Sequence, residues 1–295
     1  MENPKCPVCS SFNTVHYLSV KDFTVSLETF ELLKCSNCSF VFTGSPPSKS
    51  EIGRYYQSTS YISHTDSKKG IFDNVYQLIR AITLKGKRKL IENELIGRKG
   101  RILDYGCGTG AFLKEMVDNE WKIAGIEPDL GAREKASLLT GIEIKDTNFL
   151  DLLEPESIDA ISLWHVLEHV HDLEYVLMKF QKILVSNGVL LIAVPNRMSY
   201  DAIHYSAYWA AYDVPRHLYH FTPDTIDPLL TKCGFTKSSI KPMWFDSFYV
   251  SLLSEKYKKG KMNVFSAIAI GLISNLKALF KPGTCSSQIY IYQKQ

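Results

Sequence analysis

Several features that would define a function class are missing from this sequence. Residues 1–6 contain no apolar run, so no secretory leader is expected. The net charge is only +3, which is too small to argue for nucleic acid by itself. Internal repeats and low-complexity tracts are also absent. We therefore predict a cytoplasmic globular protein, and 295 residues suffice for one large or two modest domains.

The cysteines are few, and four of the seven form two CxxC pairs, Cys6 with Cys9 and Cys35 with Cys38. Without a leader, such pairs favour reduced thiols and metal over disulfides. Four thiolates on two tight turns can surround one Zn²⁺ tetrahedrally, which leaves no open position for catalysis. The spacing predicts a structural zinc ribbon over residues 1–44. A redox-active CxxC pair is the alternative.

Residues 45–99 are predicted to form a linker followed by a helical lid. Apolar residues recur at helical spacing over 71–96. Tyr56 and Tyr61 precede this helix and could close over a ligand, although ordinary packing is an equal alternative. The basic cluster Lys85–Lys89 is interpreted as a solvated helix face.

The strongest motif is a glycine-rich turn that follows the apolar strand Arg101–Tyr105. Gly106, Gly108 and Gly110 alternate there, and bare backbone can approach a ligand because glycine has no Cβ. The spacing differs from the dinucleotide fingerprint GxGxxG. With Asp104 before the glycines, it resembles the first motif of the class I methyltransferases that use S-adenosylmethionine (SAM).

Strands and helices alternate from residue 100 onward, which indicates a parallel sheet with helices on both faces. The resemblance implies an α/β fold with a Rossmann-like, seven-stranded methyltransferase sheet over residues 100–295. A loop at 196–222 and helices at 250–283 are the expected insertions. The predicted strands of the sheet are 101–105, 122–126, 142–145, 158–164, 189–194, 236–246 and 287–292.

A second acidic residue, Glu127, ends the next predicted strand seventeen residues after Gly110. A carboxylate at that spacing can bind both ribose hydroxyls of a nucleoside. Pro128 would border the adenine, and Asn148 and Phe149 would contact it unless they are ordinary loop residues. The cofactor-binding candidates are Asp104, Gly106, Cys107, Gly108, Gly110, Glu127, Pro128, Asn148, Phe149, Trp164 and Tyr56.

The segment after the fourth strand contains the pattern HxxEH at His165, Glu168 and His169. This pattern is typical of inverzincin proteases, but there it belongs within a helix, whereas here it straddles a strand end. It resembles instead the fourth-strand motif of small-molecule SAM methyltransferases. That resemblance implies that Trp164 or His165 flanks the SAM sulfonium and that Glu168 and His169 pack beneath.

A later loop brings together Asp213, Arg216, His217 and His220. Imidazole titrates near neutral pH and suits a general base, although either histidine could simply bond backbone carbonyls. Arg216 could hold an anionic substrate group or pair with Asp213. The loop resembles those of zinc-containing sugar C-methyltransferases and quinone-type O-methyltransferases, and His217 falls on the base of the sugar enzymes. The catalytic candidates are His217, His220 and His165.

These features predict methyl transfer to a small-molecule acceptor that is a sugar, lipid-linked or quinone-like. An RNA methyltransferase that docks RNA through the ribbon is the alternative, but the ribbon is not notably basic. A non-catalytic SAM-binding protein is a third possibility. The apolar stretch 264–280 follows a run of lysines and could pack on the domain or lie on a membrane surface.

Overall fold

The computed structural model describes residues 4–57 and 71–295, and the side chains of the first helix from Leu78 onward. Tyr61 lies outside the described residues. The strands are β1 (Thr14–Lys21), β2 (Thr29–Cys35), β3 (Val41–Thr43), β4 (Arg101–Tyr105), β5 (Lys122–Ile126), β6 (Ile158–Trp164), β7 (Leu184–Pro195), β8 (Tyr219–His220), β9 (Phe235–Pro242) and β10 (Ser287–Lys294). The helices are α1 (Ile71–Glu94), α2 (Ala111–Val117), α3 (Leu130–Thr140), α4 (Leu173–Ile183), α5 (Tyr200–Tyr205), α6 (Pro223–Lys232), α7 (Asp246–Lys259) and α8 (Val264–Phe280).

The central sheet has the strand order β5-β4-β6-β7-β10-β9. Strands β5, β4, β6 and β7 are parallel, and β10 runs antiparallel between β7 and β9. Buried residues follow one another along β7, as expected where helices cover both faces of a sheet. Leu177 and Leu230 pack on one face, and Ile91 and Met116 pack on the other.

The prediction of seven strands is corrected to six in the part of the chain that the structure describes. The expected strand at 142–145 makes only an isolated parallel bridge between Lys145 and Ile126, at the edge beside β5. The amide of Ile144 donates instead to the hydroxyl of Ser137 in α3, at 2.9 Å. This side-chain bond withdraws a backbone donor from the sheet and ends the pairing after one residue.

A second, smaller sheet has the order β1-β2-β3-β8 and is antiparallel throughout. Its last strand comes from the predicted loop 196–222, because Val41 pairs with His220 and Phe42 with Tyr219. The sheet of the cysteine-rich unit is therefore completed by residues that lie far along the chain. Segment 23–27 is a turn, and the amides of Thr24, Val25 and Ser26 donate to the buried carboxylate of Asp22.

The region 196–222 is largely structured, since it contains α5, short 3₁₀ turns and β8. The buried carboxylate of Asp201 anchors it by accepting hydrogen bonds from Trp209, Ser274 and Ser286. Helices α7 and α8 pack on each other and on this region. Among the helices of the described residues, none combines the length and the apolar character that crossing a bilayer needs.

Candidate functional site

The glycine turn lies where β4 ends and α2 begins, and its three glycines have φ values of +76°, +53° and +81°. A Cβ on Gly106 would lie 2.5 Å from Val166, and one on Gly110 would lie 2.9 Å from Ala136, so packing demands both glycines. A Cβ on Gly108 would meet nothing within 4 Å. Gly108 therefore exposes bare backbone to open space, where a ligand can approach.

The carboxylate of Glu127 is buried beside this turn at the end of β5. The amide of Gly108 donates to one of its oxygens at 2.8 Å, and the amide of Asp129 donates to the other at 2.9 Å. Burial raises the pKa of Glu127 above its ordinary value. Each oxygen keeps a lone pair, so the oriented carboxylate can still accept bonds from two hydroxyl groups.

Asp104 is buried at the end of β4 and accepts a hydrogen bond of 2.6 Å from Ser162. Burial raises the pKa of Asp104 to about 6. Lys87 of α1 reaches the same region, and its Nζ lies 4.1 Å from the centroid of the Trp164 ring. Burial lowers the pKa of Lys87 to about 8, against the opposing attraction of Asp104 and Asp246.

Lys87 is a site residue that the sequence interpretation missed, because it stands within a basic cluster assigned to solvent. Only the neighbouring Lys85 and Lys89 are exposed. Leu84 and Ile91 both pack against the core, and Lys87 lies three residues after the first and four before the second. That helical spacing is the signal that could have identified it.

The candidates for the adenine lie on the outer rim of the site. Pro128 and Asn148 are exposed, whereas Phe149 is half-buried and packs against the core. The amide of Glu127 donates to the carbonyl of Lys145, which brings the turn that carries Asn148 beside the end of β5. Cys107 is buried within the glycine turn, and burial raises its pKa.

Glu168 lies in a 3₁₀ turn after β6 and is fully buried. Neither of its carboxylate oxygens has a hydrogen-bond partner among the described residues. Nδ1 of His165 lies 3.5 Å from Oε1 of Glu168, and Nε2 of His217 lies 3.9 Å from the same oxygen. Burial disfavours the charged carboxylate, but the histidines outweigh it and lower the pKa of Glu168.

His165 donates from Nε2 to the carboxylate of Asp246 at 2.9 Å. Burial opposes its positive charge, but Asp246 and Glu168 outweigh burial and raise the pKa of His165 to about 10. An imidazole that is protonated at neutral pH cannot accept a proton. The geometry therefore favours a charged, positioning role for His165 over that of a general base.

His217 is oriented by a hydrogen bond of 2.8 Å from Nδ1 to the carbonyl of Ala211. Its Nε2 is then the basic nitrogen, and it lies 3.9 Å from carboxylate oxygens of both Glu168 and Asp213. The ring also contacts His169 edge to face, with the centroids 4.5 Å apart. This arrangement suits an imidazole that takes up a proton, because two carboxylates face the resulting charge.

His169 lies beside Glu168 and His217 and connects them to Tyr56 of the linker. Its Nδ1 lies 3.0 Å from the carbonyl of Arg216 and 3.0 Å from the hydroxyl of Tyr56. Burial, with the positive charge available to His217, lowers the pKa of His169 to about 4. Tyr56, a predicted cofactor contact, is thus placed beside His169. Ligand atoms of Glu168, His169 and His217 all lie within 4.8 Å of one another, a set that could also hold a metal ion.

The structure does not bring His220 into this group. His220 is buried in the small sheet, where its Nε2 lies 3.4 Å from the hydroxyl of Thr43 and burial holds its pKa well below the ordinary value. Arg216 is also buried and pairs with Asp213 at 2.6 Å and with Asp22 at 3.5 Å. Of its two predicted roles, the structure supports the pairing with Asp213.

The four cysteines of the CxxC pairs converge, with all their sulfur atoms within 4.8 Å of one another. The Sγ atoms of Cys6 and Cys38 are 3.6 Å apart, and those of Cys9 and Cys35 are 3.4 Å apart. Tetrahedral zinc with bonds of about 2.3 Å would separate its sulfurs by about 3.8 Å. Burial raises the pKa of Cys6 and of Cys38, whereas at Cys35 hydrogen bonds from backbone amides outweigh burial and lower the pKa. This donor set fits zinc.

Comparisons with known proteins agree with this geometry. The model of the family described as "Methyltransferase domain" matches residues 76–240, more than half of the chain. An uncharacterized methyltransferase of Geobacillus kaustophilus is 30% identical over 150 residues, which cover 46% of this chain and 69% of that protein. A ubiquinone biosynthesis O-methyltransferase of Azorhizobium caulinodans is 23% identical over 165 residues, which cover 50% and 62%. The geranyl diphosphate C-methyltransferase of Streptomyces coelicolor shares the fold, with a TM-score of 0.51 and 13% identity over 78% of this chain and 86% of that one.

Proposed function

The chain belongs to the family of methyltransferase domains, and from that premise we propose that it transfers a methyl group from SAM to a small-molecule acceptor. The observation that carries the SAM site is the Glu127 carboxylate, held by the amide of Gly108 beside the open face of the glycine turn. No other described carboxylate combines this position with two backbone amide donors. We assign Glu127 to the ribose hydroxyls and the rim residues Pro128, Asn148 and Phe149 to the adenine.

The methionine end of SAM carries a carboxylate, an ammonium and a sulfonium. Lys87 is our candidate for the carboxylate, because a charge-assisted bond there would compensate for the burial of its ammonium. Asp104 is our candidate for the ammonium of SAM. The half-buried ring of Trp164 offers an aromatic face to a cation, since Lys87 already lies over it.

We propose His217 as the general base that removes a proton from the acceptor atom. Nδ1–H donates to Ala211, so Nε2 would accept that proton, and Glu168 and Asp213 would stabilise the imidazolium. Bound SAM supplies the electrophilic methyl group. The protein contributes by holding the acceptor in line and excluding water, which is the main source of rate in such a transfer.

The relatives support a small molecule as the acceptor, since one is a ubiquinone biosynthesis O-methyltransferase and one fold neighbour is a geranyl diphosphate C-methyltransferase. The RNA alternative would require phosphate-neutralising patches on the ribbon. There, Lys5, Lys21 and Lys34 are offset by Asp22, Glu28 and Glu31. Salt-dependent retention on RNA would nevertheless revive that alternative.

We also propose that Cys6, Cys9, Cys35 and Cys38 hold one structural Zn²⁺. The sulfur separations support this assignment. With four thiolate ligands, the metal would stabilise the fold of the small sheet and take no part in methyl transfer.

Isothermal titration calorimetry with SAM tests the cofactor site. Glu127→Ala should weaken SAM affinity by about 10–100-fold, because hydrogen bonds to a charged group are lost. Glu134→Ala is a matched control, since Glu134 is an exposed residue on the neighbouring helix α3. If Glu127→Ala binds SAM as tightly as this control, the assignment of the ribose site is wrong.

A further inference from the structure

An ordinary surface helix buries its large apolar residues, whereas helix α8 buries small residues and exposes large apolar ones. The residues that it buries are all small: Ala267, Gly271, Ser274 and Ala278. They form one stripe along the helix, and a Cβ on Gly271 would lie only 2.7 Å from the ring of Phe248 in α7. The two helices therefore approach closely through small residues. Ile270 is half-buried against the core, and most of the other large side chains of α8 point away from the protein.

The outward face of α8 is almost entirely apolar. Phe265 and Phe280, near its two ends, are each 89% exposed. The other large apolar side chains exposed along the helix are Val264, Ile268, Leu272, Ile273, Leu276 and Leu279. Trp244 and Phe245, at the start of α7, extend the same surface, because the Trp244 carbonyl accepts a hydrogen bond from Asn275 of α8. Contiguous apolar patches of this kind are rare on monomers and mark interaction sites.

A rim of positive charge surrounds this apolar face. Its members, all exposed, are Lys256, Lys258, Lys259, Lys261, Lys277 and Lys281. No acidic residue occurs between 256 and 283. Lys259 pairs with Glu255, and the ammonium groups of Lys277 and Lys258 lie 3.9 and 5.9 Å from the ring centroids of Tyr200 and Tyr205. Lys256, Lys261 and Lys281 are the other exposed members of the rim.

The positive charge of the rim distinguishes between two candidate partners for this face, a second copy of the chain and an anionic lipid surface. A second copy of the chain would bring like charges together across a two-fold interface, and protein interfaces are depleted in lysine. An anionic lipid surface instead complements both features, since apolar residues enter the acyl boundary while lysines contact headgroups. Tryptophan at the edge of the face, here Trp244, is typical of membrane interfaces.

We propose that the outward face of α8, with Trp244, Phe245 and the six lysines, docks the protein on an anionic phospholipid bilayer. The helix lies in the plane of the interface and does not cross it. Asp246, the first residue of α7, bonds His165, which lies 3.5 Å from Glu168, and Glu168 lies 3.9 Å from the proposed base His217. The docking face therefore adjoins the proposed acceptor side of the site, the part that contains His217. This last step rests on the proposed function, and it assigns a membrane-resident lipid or lipid-linked molecule as the acceptor.

Vesicle flotation tests the docking independently of methyl transfer. The full chain should float with vesicles that contain phosphatidylglycerol, and far less with vesicles of phosphatidylcholine alone. The double substitution Phe265→Ser and Phe280→Ser should reduce binding by at least about 10-fold, because two fully exposed aromatic anchors are lost. Lys256→Glu with Lys261→Glu should abolish the preference for phosphatidylglycerol.

Leu138→Ser is the matched control, since Leu138 is 87% exposed on α3, away from this face. SAM affinity should be unchanged in every variant, which separates a failed docking face from a failed cofactor site. The proposal is overturned if the wild-type chain does not float, or if the phenylalanine variant floats as the control does. Light scattering that detects a dimer in the wild type and a monomer in the phenylalanine variant, without flotation, would identify a second copy as the occupant.

Discussion

The proposed cofactor side of the site, which consists of the glycine turn and Glu127, contrasts with its proposed acceptor side, which contains His217. The two differ in how far apart in the sequence their contacting residues lie. On the cofactor side, Gly108 bonds Glu127 across 19 residues, between the ends of two neighbouring strands. On the acceptor side, the hydroxyl of Thr43 donates to the carbonyl of His217 across 174 residues, and Arg216 reaches Asp22 across 194. The first side is a local product of consecutive βα units. The second depends on the cysteine-rich sheet being folded.

The largest expected effect follows from removing the metal that we propose for the ribbon. Structural zinc in small modules contributes about 10–16 kcal/mol to folding, so chelation should unfold the small sheet and release β8. Turnover should then be lost while SAM affinity stays within about threefold, because the glycine turn belongs to the other sheet. Added zinc should restore turnover.

Three results would contradict these assignments. If chelation weakens SAM binding as much as it reduces turnover, the two sides are not independent.

Metal analysis should give one zinc per chain, and a folded protein without metal would refute the ribbon. A second metal equivalent that is lost in His169→Ala would place an ion at Glu168, His169 and His217 and would make His217 a ligand rather than a base.

Replacing the proposed base should give the next largest effect. We expect His217→Ala to lower kcat by about 10²–10⁴-fold, because general-base catalysis contributes that much. SAM affinity measured by calorimetry should not change. His204→Ala is the control, since His204 is exposed on α5. Equal turnover in the two variants would rule out the assignment.

A smaller effect is expected at Lys87 on the cofactor side. Lys87→Gln should weaken SAM affinity by about 10-fold, through the loss of one charge-assisted bond. Lys85→Gln, at an exposed position two residues earlier on α1, should bind SAM as the wild type does. A SAM analogue with an amide in place of the methionine carboxylate sharpens the test. The wild type and Lys87→Gln should bind this analogue with equal affinity, because the group that Lys87 is proposed to bind is absent.

The smallest effect concerns the ion pair between His165 and Asp246. The pKa of His165 is raised from 6.5 to about 10, so its contribution to stability is complete below pH 6.5 and is lost as pH rises towards 10. The pKa of Asp246 is lowered from 3.8, so its contribution is lost as pH falls through and below that value. The Tm difference between wild type and Asp246→Asn should therefore be largest between about pH 4 and 6.5 and vanish above about pH 10.

Glu31→Gln provides the comparison, because it breaks the pair of Glu31 with His16, in which both side chains are more than half exposed. Exposed pairs contribute little, so its Tm should follow the wild type at all pH values. A flat Tm difference for Asp246→Asn would show that this carboxylate stabilises the fold by a bond that does not involve charge.

The methyltransferase fold and the place of the glycine turn between β4 and α2 could be predicted because short-range sequence patterns encode them, whereas the cofactor contacts of individual residues stay predictions. Alternating glycines mark the turn, and Glu127 follows at the end of the next apolar run. The strand at 142–145 was overpredicted, because no pattern reveals that the hydroxyl of Ser137 captures an amide. Lys87 was hidden by lysines on both sides, although the spacing of Leu84 and Ile91 contained the information.

The acceptor side could be predicted only as a set of residues, not as an arrangement. A two-residue strand such as β8 has no periodicity, so its pairing with β3 leaves no mark in the sequence. The buried pairing of Arg216 with Asp22 joins parts of the chain that no local rule connects. The sequence also could not predict that α8 buries its small residues and exposes its large ones, because a continuous apolar stretch does not indicate which helix face is buried.

The pairing of β3 with β8 also bears on how the chain folds. During synthesis residues 41–43 emerge before residues 219 and 220, so one edge of β3 stays unpaired until β8 has been made. Exposed edges of this kind are prone to pair with other chains, and long-range pairings form slowly. We therefore expect the central sheet to assemble first and the ribbon to close onto it last, so that the proposed acceptor side is completed late in folding.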